Sequence, residues 1–138
     1  FPDDYIPNVS ERINLYRELD NIENEDNLKG FEEKLRDRFG PLPEPTRELL
    51  NVVRLRWHAI ALGFEKVMIK NNTMILHFIS NQDSPYYQSS VFSGILAFVQ
   101  NNQKQFRIKE GKKLTMTVSK VDNINKALEI IKQMRENL

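Results

Sequence analysis

The stretch Val67-Met68-Ile69-Lys70-Asn71-Asn72-Thr73-Met74-Ile75-Leu76-His77-Phe78 decides the fold class. Val67 and Ile69 alternate in its first half, and Met74, Leu76 and Phe78 alternate in its second. A period of two belongs to β-strands. Asn71-Asn72 stands between the halves, and asparagine tolerates the left-handed backbone region, so the pair predicts a two-residue hairpin turn. Further on, Phe106 and Ile108 lead into Glu110-Gly111, and Leu114, Met116 and Val118 alternate beyond it. That pattern predicts a second hairpin. Between the hairpins, Ser84-Pro85 offers a cap and a first-turn proline, and Tyr87, Val91, Ile95 and Val99 form a helical stripe. Asp122 is expected to cap a last helix carrying Ile124, Leu128, Ile131 and either Met134 or Arg135.

Working back from Val67, the period is helical. Pro2 and Pro7 bracket an expected extended lead-in, and Asn8 or Ser10 can cap the first helix. Val9, Ile13, Tyr16 and Leu19 make one stripe, and the acidic tract Asp20 to Asp26 suits a loop. Leu28, Phe31, Leu35 and Phe39 make the next stripe, which Gly40 ends and Pro41 prevents from continuing. Pro43 to Thr46 open a third helix that runs to Gly63. The order ααα–ββ–α–ββ–α predicts an α+β fold, with three N-terminal helices, then ββα–ββα, and a small, mainly antiparallel sheet. We expect a single domain over 1–138, helical over residues 1–63 and built of strands and helices over residues 64–138.

Composition narrows the chemistry. The 138 residues are 40% hydrophobic and 28% charged, as in an ordinary globular domain. No cysteine is present, which removes disulfides, thiolate nucleophiles and cysteine-based metal sites. No apolar run approaches the roughly 20 residues of a membrane helix. The chain opens on Phe1, not Met, so a piece of a longer or processed protein is expected. Residues 1–63 carry 13 acids against 9 bases, and residues 64–138 carry 6 against 11, so the two halves differ in sign.

Neither a phosphate-binding G-x-x-x-x-G-K-[ST] loop nor a G-x-G-x-x-G turn occurs. Ser93-Gly94 lacks the frame of a hydrolase elbow. His58 and His77 have no carboxylate or serine at motif spacing, and His77 lies inside an apolar strand. The pairs Glu32-Glu33 and Asp3-Asp4 read as solvated surface. No catalytic, cofactor-binding or metal-ligating set emerges, and the chain alone is not expected to be an enzyme.

Two surfaces remain. Lys104, Arg107, Lys109, Lys112 and Lys113 gather along the second hairpin with only Glu110 against them. They either guard exposed strands from edge pairing or meet phosphates as a small nucleic-acid-binding surface over residues 104–113. On the third helix, Leu49, Leu50, Val52, Val53, Trp57, Ala59 and Ile60 cover a broad apolar arc, opposite a polar stripe of Arg47, Asn51, Arg54 and His58. The stripe is either a solvated face or a polar partner surface. Arg56 falls among Leu49, Val52 and Ile60, on the side expected to be buried, and reads as a structural ion pair or a helix-end ligand.

Three segments carry a family resemblance. They are Phe1-Pro2-Asp3-Asp4-Tyr5-Ile6-Pro7 with Arg12-Ile13-Asn14-Leu15-Tyr16-Arg17; Asp37-Arg38-Phe39-Gly40-Pro41-Leu42-Pro43; and Leu49-Leu50, Arg54-Leu55-Arg56, Ala59 and Leu62-Gly63. In this order and spacing they resemble the C-terminal domain of the bacterial transcription-repair coupling factors, the Mfd family. The resemblance covers residues 1–63; residues 64–138 agree in length and element order. Asn8 departs from the family's Asp, and either residue caps a helix.

The resemblance implies a regulatory, autoinhibitory domain of a longer, multidomain, cytoplasmic protein. That protein is a helicase-like ATPase and DNA translocase, which displaces stalled RNA polymerase and recruits nucleotide excision repair. ATP and magnesium then belong to its motor domains, with no cofactor in this chain and no membrane partner. The resemblance further implies packing on the N-terminal, UvrB-like repair module of the same protein, masking of its UvrA-binding surface, and release by stalled polymerase. DNA contact is expected to be weak or to run through other domains. Arg47, Asn51, Arg54 and His58 are the expected docking residues, since Arg54 is a motif position with no packing reason on the helical wheel.

Overall fold

The computed structural model describes all 138 residues, which form two compact units, Phe1–Trp57 and His58–Leu138. The division falls inside the third helix, six residues before Gly63.

In the first unit, Asn8 caps α1 (Val9–Asp20) by accepting from the Glu11 amide at 2.9 Å. Asn24 likewise caps α2 (Glu25–Phe39) through the Asn27 amide. Asp26 and Glu25 therefore belong to the first turn of α2, where acids suit the helix dipole, and not to a loop. Gly40 closes α2 at φ +88°, a backbone region in which glycine is unstrained. Most of α3 (Glu44–Ala61) belongs to this unit. Ile6, Leu15, Leu19, Ile22, Leu28, Phe31, Leu35, Leu42, Leu50 and Val53 form one core cluster.

Two expectations fail here. The lead-in is a turn and not extended: the Tyr5 and Ile6 amides both donate to the Pro2 carbonyl at 3.1 Å. That turn buries Ile6 completely and lets the Tyr5 hydroxyl donate to the Gly40 carbonyl at 2.9 Å. The α1 stripe is also rotated. Leu15 and Leu19 are buried, whereas Val9, Ile13 and Tyr16 are exposed. The inward row contains Arg12, whose guanidinium donates to the Ile6 carbonyl at 2.7 Å. A polar residue satisfied in this way hides the true apolar row from a hydrophobicity count.

The second unit is a four-stranded, fully antiparallel sheet with helices on one face. Strands β1 (Phe64–Lys70), β2 (Thr73–Phe78), β3 (Phe106–Lys109) and β4 (Thr115–Ser119) lie in the order β1-β2-β4-β3. Asn71 and Asn72 make the first turn at φ +53° and +59°, as their chemistry requires. Phe64, Met74, Leu76, Phe78, Phe106, Met116 and Val118 are buried on one side of the sheet. Helix α4 (Ser90–Gln100) sets Phe92 edge-on to Phe78 at 5.5 Å and Phe98 edge-on to Phe106 at 5.1 Å. Helix α5 (Ile124–Glu136) buries Ala127, Leu128, Ile131 and Met134, so Met134 and not Arg135 completes its apolar row.

Three local boundaries differ from expectation. The second hairpin has a five-residue connection, 110–114, because the last β3–β4 pair is Lys109 with Thr115. The stripe from Tyr87 to Val99 is broken: residues Pro85–Gln88 form a short 3-10 turn, and Ser89 then caps α4 through the Phe92 amide. Asn123, not Asp122, caps α5, accepting from the Lys126 amide at 2.8 Å. Asp122 instead pairs with the Lys126 ammonium at 3.0 Å.

Candidate functional site

Helix α3 carries two buried rows. One is Thr46, Leu50 and Val53; the other is Leu55, Ala59 and, just past the helix end, Leu62. At 100° per residue the rows lie on roughly opposite sides of the helix. Two strips are left between them. One is Arg47, Asn51, Arg54 and His58; the other is Val52, Arg56 and Ile60. The apolar arc on the wheel is therefore buried at its two margins, through Leu50 and Val53 on one side and Ala59 on the other, and exposed in its middle. Val52 and Ile60 are 41% and 65% exposed.

The first strip is drawn into the fold along most of its length. The side chain of Arg54 is only 18% exposed. Its Nε donates to Glu25 Oε2 and its Nη2 to Glu25 Oε1, both at 2.9 Å, while Nη1 donates to Asn51 Oδ1 at 2.8 Å. This fork-to-carboxylate geometry is specific to arginine. Arg54 thus has the packing reason that the helical wheel does not show. Its partner lies 29 residues earlier on another helix, and only the acid in the first turn of α2 hints at it. Within the second unit, the Arg135 guanidinium meets His58 Nδ1 at 2.9 Å. Arg47 stays exposed, at the edge of a shallow groove of about 390 Å³ lined by Glu32, Arg36, Leu50, Asn51 and Arg54. Arg36 pairs there with Glu32, one helical turn before it, at 2.8 Å.

Arg56 does not lie on a buried arc. Its side chain is 42% exposed and pairs with Asp20, Nη1 to Oδ1 at 3.5 Å, with Nη2 donating to the Asp20 carbonyl at the end of α1 at 3.3 Å.

All five residues of the basic tract are exposed. Arg107 and Lys109 project from β3, an edge strand, while Lys112 and Lys113 lie in the five-residue connection. His77 is half-buried on β2. Strand register brings Lys66 and Lys70 to the same sheet face as Arg107 and Lys109. Sequence reading missed these two lysines, because only pairing through β2 and β4 reveals the shared face.

The displaced titrations are structural. Burial pushes the Tyr5, Tyr86 and Tyr87 phenols up. Each hydroxyl donates to a backbone carbonyl, of Gly40, Leu62 and Ile79 respectively. Asp122 is held below the usual carboxylate value by its hydrogen bond from Lys126. No group of three or more His, Asp or Glu side chains is placed to hold a metal ion, and no helix is long and apolar enough to cross a membrane.

The model of the TRCF domain family matches residues 1–89. The chain belongs to the TRCF domain family. It is 42% identical over 66 residues to the transcription-repair-coupling factor of Escherichia coli, covering 48% of this chain and 6% of that protein. It is 30% identical over 121 residues to the transcription-repair-coupling factor of Rickettsia conorii, covering 88% of this chain and 10% of that protein. This TRCF domain thus spans about a tenth or less of the length of these relatives. A crystal structure of the C-terminal domain of a transcription-repair coupling factor superposes with a TM-score of 0.78, at 18% identity, over 99% of this chain and 86% of that one. That likeness establishes the α+β fold.

Proposed function

We propose that this TRCF domain is a regulatory docking module of a longer DNA-translocating protein, with no reaction of its own. It packs on the N-terminal repair module of the same protein, masks the UvrA-binding surface there, and restrains the ATP-driven motor until stalled RNA polymerase is engaged. The observation that carries this is the polar groove between α2 and α3. Arg54 is held in a fixed orientation there by Glu25, Arg36 pairs with Glu32 at the rim, and Arg47 is left exposed beside them. Contacts between domains of one chain are modest in area and fairly polar, and prealigned charged groups set their register at low entropic cost. The docking strip keeps its four members in unequal roles. Arg47 makes the outward contact, while Asn51 and Arg54 shape the surface from within; His58 belongs to the second unit, where it meets Arg135.

The experiment is Arg47→Glu in the full-length protein, with UvrA affinity and polymerase-independent ATP turnover as readouts. Both should rise several-fold, since a loss of even ~1.4 kcal/mol of clamp energy shifts populations tenfold. If deletion of the whole domain changes neither quantity, the docking reading is wrong. If deletion changes both and Arg47→Glu changes neither, the docking surface lies elsewhere on the domain.

A further inference from the structure

One face of the sheet in the second unit is cationic along both margins. Register pairs Lys66 with His77, Met68 with Ile75 and Lys70 with Thr73. It pairs Thr73, Ile75 and His77 with Ser119, Thr117 and Thr115, and Thr117 and Thr115 with Arg107 and Lys109. Residues directly opposed in antiparallel strands share a face. Lys66 and Lys70 therefore edge this face on β1, and Arg107 and Lys109 edge it on β3, with threonine and serine hydroxyls between. No acid occupies any of these positions. Every residue of the face is exposed or half-buried, while Met74, Leu76, Phe78, Met116 and Val118 on the other side are buried. Glu65, at the β1 bulge, is engaged by the Ser80 amide at 3.0 Å. Glu110 is the one acid in the neighbouring loop, beside Lys112 and Lys113.

We propose that this face binds the sugar-phosphate backbone of duplex DNA without reading its sequence. The two cationic margins are three strand spacings apart, roughly 14 Å. That matches the two phosphate ridges flanking a major groove about 12 Å wide. The face has no aromatic ring besides His77, so it lacks the stacking platform that single strands need. It also lacks the buried aromatic anchors of a protein–protein hot spot, with Met68 and Ile75 its only large apolar groups. Residues 64–138 carry 11 bases against 6 acids, so the field of this unit draws in a polyanion. This inference is independent of the docking proposal.

A labelled random-sequence 20-base-pair duplex, titrated with the 138-residue chain between 50 and 200 mM KCl, tests it. Four phosphate contacts predict a slope of log K against log salt of about −3.6, or an affinity loss on the order of 100-fold over that range. Lys66→Ala, Lys70→Ala, Arg107→Ala and Lys109→Ala should each reduce the slope by about 0.9. Lys29→Ala and Lys132→Ala, on exposed helix positions, should leave it unchanged. Thermal melts of each variant confirm that it is folded. Three results overturn the proposal: no duplex binding at 50 mM KCl; binding unchanged in the folded fourfold variant; or polyglutamate or single-stranded DNA of equal length binding the face more tightly than the duplex.

Discussion

Replacing Arg54 by alanine should destabilise the domain, whereas the same change at Arg56 should hardly register. Arg54 is mostly buried and donates four hydrogen bonds, three of them to Glu25. Hydrogen bonds to charged groups contribute ~1.5–3 kcal/mol when buried, while exposed ion pairs contribute ~0.2–1 kcal/mol. Glu25 is 44% exposed, so solvent re-solvates it in part, and a loss of about 2 kcal/mol is expected between those limits. With an unfolding entropy of roughly 2.1 cal/mol/K per residue, that loss lowers Tm by about 7 °C. Arg54→Glu should cost more, because it sets two carboxylates against each other. Arg56 is exposed at 42%, and its contact with Asp20 is long at 3.5 Å, so Arg56→Ala should shift Tm by less than about 2 °C. Calorimetry on both variants, with a double-mutant cycle between Arg54→Ala and Glu25→Gln, measures this directly. The cycle should return about 1–1.5 kcal/mol of coupling. A coupling near zero, or a larger loss at Arg56 than at Arg54, would refute the assignment of the two arginines.

The Thr46 hydroxyl is fully buried and has no hydrogen-bond partner, so Thr46→Val should raise stability by about 1 kcal/mol in chemical denaturation. Gly63 sits at φ +87°, and a Cβ there would lie 2.1 Å from the Tyr86 ring; Gly63→Ala should therefore cost several kcal/mol, whereas Gly30→Ala, on α2 with open space around it, should gain about 0.5–1 kcal/mol. The lowered pKa of Asp122 makes its pair with Lys126 a contribution that is present above the ordinary aspartate value and lost as pH falls through the depressed one. Asp122→Asn should consequently reduce stability near neutral pH, and the difference from wild type should shrink in melts as pH falls below the ordinary aspartate range.

Element order was legible because each element carries its own local signal. The Asn71-Asn72 turn, the glycines at positive φ and the alternating strands depend on neighbours within a few residues. What failed depended on distance in sequence. The α1 row was misassigned because Arg12 is satisfied by a carbonyl of the preceding turn, and α3 was misassigned because it is buried on two sides. A helical wheel presumes one buried face, and with two the polar strip between them is half-covered. Adjacent residues of similar chemistry also trade places, as Asp122 and Asn123 do at the start of α5. The polar strip of α3 was legible as a set of residues at helical spacing, yet how its members are held rests on Glu25 and Arg135. The cationic sheet face was half legible: Arg107 and Lys109 stand in a visible basic tract, but Lys66 and Lys70 join them only through strand pairing.

The central claim is that this TRCF domain docks on another part of the longer protein that contains it. Isothermal titration of the 138-residue chain into the separately produced N-terminal repair module tests that claim most directly. The account predicts saturable one-to-one binding, weakened at least tenfold by Arg47→Glu and competed by UvrA. Absence of binding at protein concentrations of hundreds of micromolar, or binding that UvrA leaves untouched, would contradict it.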